Sequence, residues 1–196
     1  MGDEHRQTKG ILRRRFRAMR SDLTPNVVAD LSSKACARLL RLDAFLAARH
    51  VVVYAPLENE VDTAPIVAAG AEALKLVYYP RVAGGDLDFV CAEPTTLRPG
   101  AFGVQEPSCG SPLSHRATGV VFVVPGLAFD LRGGRLGRGA AHYDRALARY
   151  RGATRIGFGY EFQLLPLLPE APWDTRMHVV VTDGRVVGGD GRCGSL

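Results

Sequence analysis

Apolar and polar positions alternate along this chain in two rhythms, one helical and one of short, uninterrupted apolar runs. Leu12, Phe16, Met19 and Leu23 recur at i, i+4, i+7 and i+11, which predicts an amphipathic helix near residues 6–22. Thr24-Pro25 offers an N-cap and a first-turn proline for a second helix, with Val28, Leu31, Ala35, Leu39 and Leu42 on its apolar face. Three runs then lack polar alternation: HVVVYA at 50–55 before Pro56, LVYY at 76–79 before Pro80, and VVFVV at 120–124 before Pro125-Gly126. Short β-branched and aromatic runs of this kind predict strands buried on both faces. Between the first two, Asp62 or Thr63 is placed to cap a helix through Lys75. Residues 81–118, rich in Gly, Pro and Ser with a short apolar run at 87–91, predict a hairpin and long loops. After the third run comes a glycine-rich loop, then a helix with Tyr143, Ala146, Leu147 and Tyr150 on one face. A strand follows at 154–160, with glycines at 157 and 159. Apolar runs at 178–182 and 185–187 flank Asp183-Gly184, a type I′ hairpin signal.

Strands alternating with helices predict an α/β fold: a single three-layer domain over residues 1–196, Rossmann-like, with a mostly parallel sheet flanked by helices and a C-terminal hairpin at its edge. Ligands in such sheets bind beyond the carboxyl ends of the strands. Three polar segments are expected there: LENEVDT after the first strand, the glycine-rich loop, and EAPWD before the last parallel strand.

Composition adds little to the fold and more to the setting. A chain of 196 residues, 46% of them hydrophobic, suffices for one sizeable core. No apolar run nears the roughly 18 residues of a membrane span. The charged N-terminus lacks an apolar signal core, so a cytoplasmic protein without membrane contact is expected. Cys36, Cys91, Cys109 and Cys193 form no Cys-x-x-Cys pair and are expected as reduced thiols. The net charge of +5 is concentrated in residues 1–20, where Arg6, Lys9, Arg13, Arg14, Arg15, Arg17 and Arg20 face only Asp3 and Glu4. Such a run suits an anionic partner or is a solvated helix face; most of these arginines are expected to be solvated. No aromatic-interleaved basic motif accompanies it, which argues against nucleic acid.

The chemistry gathers at the glycine-rich loop. Gly134-x-x-Gly137-x-Gly139 matches neither the dinucleotide fingerprint nor the phosphate-loop pattern. A buried strand before it, a helix after it, and Arg135 and Arg138 within it make a phosphate site the working expectation, since glycine lets backbone N–H groups approach an anion and arginine offers a planar fork. Asp144, in the first turns of the helix, is a candidate Mg²⁺ ligand beside a polyphosphate, or simply an acid favoured by the helix dipole. Asp174 is a second candidate carboxylate. Glu60 is available to hydrogen-bond a substrate amide or amine, whereas Asp62 reads as a helix cap. His142 is a candidate proton donor, a phosphate contact or merely a loop residue. No serine elbow, Cys-His pair or zinc-spaced cluster is present, so charge neutralisation and positioning are the chemistry implied.

PGLAFD at Pro125–Asp130, GGRLGRG at Gly133–Gly139 and YDRAL at Tyr143–Leu147 together resemble the signature of the 5-formyltetrahydrofolate cyclo-ligases, or methenyltetrahydrofolate synthetases. KGILR at Lys9–Arg13, EVDT at Glu60–Thr63, Gly103-x-x-Glu106-Pro107 and Asp174 extend the resemblance in the family's order. It implies a cyclo-ligase-like fold and ATP- and Mg²⁺-dependent closure of 5-formyltetrahydrofolate to 5,10-methenyltetrahydrofolate, with ADP and phosphate released. Position by position it implies ATP contacts at Lys9, Arg13, Arg135, Leu136, Gly137, Arg138, Gly139, Ala140, Ala141, His142 and Tyr143. It further implies folate contacts at Ala55, Glu60, Arg138 and His142, catalytic roles for Arg138 and His142, and Mg²⁺ at Asp144 and Asp174. The expected partner is a reduced folate, with or without a polyglutamate tail, and a monomer is expected. Ala140-Ala141 stands where the family usually has glycine or a lysine and a glycine; the two alanines are strained if the loop needs positive φ there, and tolerated if they already begin the helix, where alanine is favoured. His178 stands where an acid is often found. A non-catalytic nucleotide- or folate-binding relative is the alternative reading.

Overall fold

The computed structural model describes residues 2–100 and 103–188, with side chains from residue 5. The chain opens with α1 (Gly2–Ser21), α2 (Pro25–Leu39) and α3 (Asp43–Leu46), followed by β1 (His50–Val52), α4 (Ala64–Glu72), β2 (Leu76–Ala83) and β3 (Asp86–Cys91). A small ribbon of β4 (Leu97–Pro99) and β5 (Gln105–Pro107) precedes β6 (Val120–Pro125). Then come β7 (Ala128–Asp130), β8 (Arg135–Leu136), α5 (His142–Leu147), β9 (Thr154–Phe158), β10 (Leu164–Leu165), β11 (Val179–Val181) and β12 (Val186–Gly188).

The main sheet has the order β12-β11-β9-β6-β1-β2-β3. Its five inner strands are parallel, and an antiparallel strand closes each edge. The three uninterrupted apolar runs fill its centre because helices cover both faces. On one face Val51, Val53, Val121, Val123, Ile156 and Phe158 pack with Ala35, Cys36 and Leu39 of α2 and Ile66 of α4. On the other, Val52, Phe122, Val124 and Val180 pack with Ala146 and Leu147 of α5 and with Tyr150. Neighbouring residues alternate between these clusters, as the strand period of two requires. The three expected layers are present. Taken in chain order, the inner strands stand as second, first, third, fourth, fifth, so the winding reverses between β1 and β6. The space beyond the carboxyl ends of those two strands is where a ligand has room.

A second sheet, β10-β7-β8, lies off the main one. Here α1 docks: Phe16 is buried with Leu127, Ala128, Leu136 and Leu168, and Leu12 and Met19 pack beside them. The Phe129 side chain lies across a bare strip of backbone. A Cβ at Gly126, Gly157 or Gly159 would come within 2.6–3.0 Å of its ring or, at Gly159, equally near Gln163. The two strand glycines noted at 157 and 159 thus make room for a phenylalanine from the adjoining sheet.

Several elements differ from the sequence pattern for identifiable reasons. Pro80 does not end its strand, which runs to Ala83. The Tyr78 carbonyl accepts from the Val53 N–H on the β1 side, so two residues on, the missing Pro80 N–H faces that side too, past the end of β1. The helix after Thr63 stops at Glu72 rather than Lys75, with Leu74 at φ 54°. Its N-cap is Thr63, without a side-chain bond, while Asp62 one residue earlier accepts the Ala64 N–H on Oδ1 at 2.9 Å. Thr24 precedes α2 without a side-chain cap. The Asp183-Gly184 hairpin forms, but neither residue has positive φ, so the turn is not type I′. The Thr182 hydroxyl instead accepts the N–H groups of Gly184 and Arg185. Cys36, Cys91 and Cys109 are free thiols. Cys193 lies outside the described residues, as does the end of the expected domain, residues 189–196.

Candidate active site

The glycine-rich segment is not a simple strand–loop–helix turn. Gly133 and Gly134 form the bend of the β7–β8 hairpin, and only Gly137 to Ala141 make a loop. Asp130 organises the bend. Its buried carboxylate accepts the N–H groups of Arg132 (2.9 Å) and Gly134 (2.7 Å) through Oδ1, and of Leu168 (2.9 Å) through Oδ2. A Cβ on Gly134 would lie 2.6 Å from that carboxylate, so the position admits only glycine without a shift. Gly139 has φ +118°, a conformation costly to any residue with a Cβ. Ala141 is not the first helical residue that its composition suggests. It precedes α5 at φ 52° and ψ 19°, in the left-handed region. With α5 only six residues long, Tyr150 lies beyond it, although its side chain stays buried.

A cavity of about 1150 Å³ opens at the reversal point between β1 and β6. Tyr54, Ala55 and Glu60 line it from the β1 side, Pro125 to Leu127 from the β6 side, and Arg135 through Asp144 from the glycine segment. Lys9 and Arg13 reach it from α1, and Glu170 to Asp174 form its rim. All the residues that the resemblance singles out, from Lys9 to Asp174, lie on this one wall. Val104 and Glu106 of the middle loop border it as well.

Ion pairs order the wall. Lys9 Nζ sits 2.5 Å from Asp174 Oδ2, which also accepts the Ala171 N–H. Arg13 Nε donates to the Gly137 carbonyl at 3.0 Å, tying α1 to the loop. Arg135 Nη2 lies 3.0 Å from both oxygens of Asp144, and Asp144 Oδ1 also accepts the Thr175 N–H at 3.2 Å. Both partners of the Arg135–Asp144 pair are largely buried, and the guanidinium lies 5.5 Å from the Tyr143 ring centre. Glu60 is buried and holds three groups: Arg20 Nη1 at 3.3 Å and Arg138 Nη2 at 3.2 Å on Oε1, and the Leu57 N–H at 3.1 Å on Oε2. Burial, with Glu60 nearby, pushes the Tyr143 phenol well above its usual range despite Arg135, so it stays a neutral wall. His142 Nδ1 stands 3.1 Å from Arg145 Nη2. Arg145 also reaches Ala140 O and Asp86, joining the loop to the β2–β3 hairpin tip.

Residues 5–183 match the model of the 5-formyltetrahydrofolate cyclo-ligase family. The chain belongs to this family. The cyclo-ligase of Escherichia coli K12 is 30% identical over 181 residues, covering 87% of this chain and 98% of that protein. That of Mycolicibacterium smegmatis is 33% identical over 150 residues, covering 71% of this chain and 76% of that one. The structure of the Aquifex aeolicus 5,10-methenyltetrahydrofolate synthetase superposes with a TM-score of 0.82 at 34% identity, over 96% of both chains. The fold is therefore a cyclo-ligase fold and the chain a ligase.

Three cavity or wall-ordering residues escaped the sequence reading. Arg20 counted among the solvated arginines, yet it is 1% exposed. The signal was its place: four residues after Phe16, it falls on the apolar stripe of α1. Arg14, Arg15 and Arg17 are exposed as expected. Trp173, the single tryptophan, stands 71% exposed at the cavity rim beside Asp174. Tyr54 lines the floor and donates to the Val61 carbonyl at 2.9 Å. His178, at the departed acidic position, is not on the cavity wall; its ring pairs with Arg155.

Proposed function

We propose that the protein closes 5-formyltetrahydrofolate to 5,10-methenyltetrahydrofolate, consuming ATP with Mg²⁺ and releasing ADP and phosphate. The observation that carries this reading is the single cavity in which Lys9, Arg13, Arg135 and Arg138 stand with Glu60, Asp144 and Asp174. Its volume exceeds what one small ligand fills, which suits two ligands side by side.

In this reading the formyl oxygen takes the γ-phosphoryl group of ATP, and ADP departs. N10 of the folate then attacks the formyl carbon and loses its proton, while that oxygen leaves with the phosphate. Each step moves charge between oxygens and nitrogens, so the protein must align the ligands and stabilise charge. Lys9, Arg13 and Arg135 neutralise the phosphates, together with the backbone of Leu136 to Tyr143. Arg138 and His142 stand between the two ligands. Ala55 and Glu60 contact the folate, Glu60 by accepting hydrogen bonds from its N–H groups.

The carboxylates present suit Mg²⁺, an ion usually held by one or two carboxylates and by phosphate oxygens. Of about four lone-pair positions on an ionised carboxylate, Asp144 commits three, to Arg135 Nη2 twice and to Thr175 N–H. The hydrogen bonds to the Asp174 carboxylate among the described residues, from Lys9 Nζ and the Ala171 N–H, both fall on Oδ2. Among the described residues no group of three or more potential ligands occurs. Bound there, Mg²⁺ would offset charge on the transferring phosphoryl group.

Purified protein with ATP, Mg²⁺ and 5-formyltetrahydrofolate is expected to accumulate the near-ultraviolet absorbance of the methenyl product. Asp144→Asn should lower kcat by about 100-fold or more, the scale for loss of one preorganised electrostatic group, with the fold retained by circular dichroism. The left-handed Ala141 favours a second reading, a non-catalytic nucleotide- or folate-binding relative. Tight binding of both ligands without product selects that alternative, and binding of neither rejects both.

A further inference from the structure

The segment Leu57–Glu60 is held in an unusual way. Glu58 and Asn59 are consecutive non-glycine residues in the left-handed region, at φ 48° and 58°. Each such conformation costs on the order of 1 kcal/mol or more and persists only where surrounding contacts over-determine it. Those contacts come chiefly from the C-terminal end of α1 and the turn after it, with Arg138 of the glycine loop also 3.5 Å from Glu58 Oε2 and 3.2 Å from Glu60 Oε1. Asn59 Nδ2 donates to the Arg20 carbonyl at 3.1 Å and the Leu23 carbonyl at 3.0 Å. The Arg20 guanidinium spreads over the two acids, Nη1 on Glu60 Oε1 and Nη2 on Glu58 Oε2, each at 3.3 Å. Arg20 is 1% exposed, and its Nε lacks a hydrogen-bond partner among the described residues. A buried arginine is costly unless it is paired and hydrogen-bonded, and Glu58 and Glu60 supply that pairing.

We propose that Arg20 is the positioning residue for Glu60. One arm of its fork holds the Glu60 carboxylate aimed into the cavity, while Asn59 pins the backbone that carries it. Arg20 itself does not line the cavity. Arg138 also reaches Glu60 Oε1, but its side chain is 40% exposed and on the cavity wall, so it is free to turn to a ligand while Arg20 keeps the acid in place. The inference rests on the reading of Glu60 as a folate contact.

The test separates positioning from stability, because Lys9 and Arg13 share α1 with Arg20. KM for 5-formyltetrahydrofolate, KM for ATP and kcat are measured for the full chain and for Arg20→Met, Arg20→Lys, Glu60→Gln and the Arg20→Met/Glu60→Gln pair. Loss of a buried charge-assisted contact that acts through Glu60 should raise the folate KM of Arg20→Met about tenfold, with the ATP KM within about twofold. The double variant should bind folate no worse than Glu60→Gln alone, the non-additivity of two residues that act as one unit. Parallel rises in both KM values, or additive effects in the pair, overturn the proposal and leave Arg20 as a support for α1. An unchanged folate KM in Glu60→Gln instead overturns the reading of Glu60 itself. Should Arg20→Met not fold, Arg20→Lys keeps a cation but loses the fork; an intermediate rise in folate KM alone supports the proposal, and none overturns it.

Discussion

At the scale of single residues, Ala141 shows how a local preference yields to its surroundings. Alanine is the best helix former, yet this one stands left-handed just before α5, in a loop where Gly139 has positive φ and the Ala140 carbonyl accepts from Arg145. The left-handed region costs an L-residue about 1–2 kcal/mol, and glycine forfeits roughly 0.5–1 kcal/mol of that through chain entropy. Ala141→Gly is therefore expected to stabilise by up to about 1 kcal/mol, seen as a higher Tm; a lower Tm would contradict the left-handed geometry. Asp144 was legible as a candidate from its place after the glycine loop, and Lys9 and Arg13 only through the resemblance of their motif to the family's. Arg20 was not, since a charge run carries no label for the one member that turns inward.

Among the elements, the β7–β8 hairpin decides the shape of the site, and it hides inside what reads as a loop. Its strands are two and three residues long, too short for any periodicity. What holds it is Asp130, whose carboxylate is the acceptor for three backbone N–H groups. Asp130→Ala should cost about 3 kcal/mol by leaving those donors without an acceptor, measured by chemical denaturation. A loss under about 1 kcal/mol would mean the hairpin is held by other contacts. The longer elements were legible because their periodicity is strong. Their ends were less so: Pro80 continues a strand only because β1 has already stopped beside it.

Over the whole molecule, ion pairs at the sheet edge and at the cavity rim link stability to pH. Burial raises the Glu161 carboxyl, but hydrogen bonds from Arg185 and Thr182 outweigh it, and the net value lies below the usual 4.5. The hydrogen bond from Arg176, against some desolvation, likewise lowers Glu170. A carboxylate depressed by folding contributes stability that is complete above its unfolded value and is lost as pH falls through its folded one. Tm should thus hold near neutrality and decline below about pH 4.5. Glu161→Gln should flatten that decline, and an unaltered slope would show that the β11–β12 edge does not take part.

The apolar runs alone determined an α/β domain with buried parallel strands, because residues without a polar alternative must be covered on both faces. Residue types and their order determined the family resemblance and the candidate groups. Only the tertiary structure decided which of them meet. Strand order puts the reversal between β1 and β6, and this brings Lys9, Glu60, Arg135 and Asp174 to one cavity from across the chain. It also decided that Arg20 is buried, since its partners Glu58 and Glu60 come from a segment distant in sequence. Periodicity reports what one element needs; it cannot report which other element will supply it.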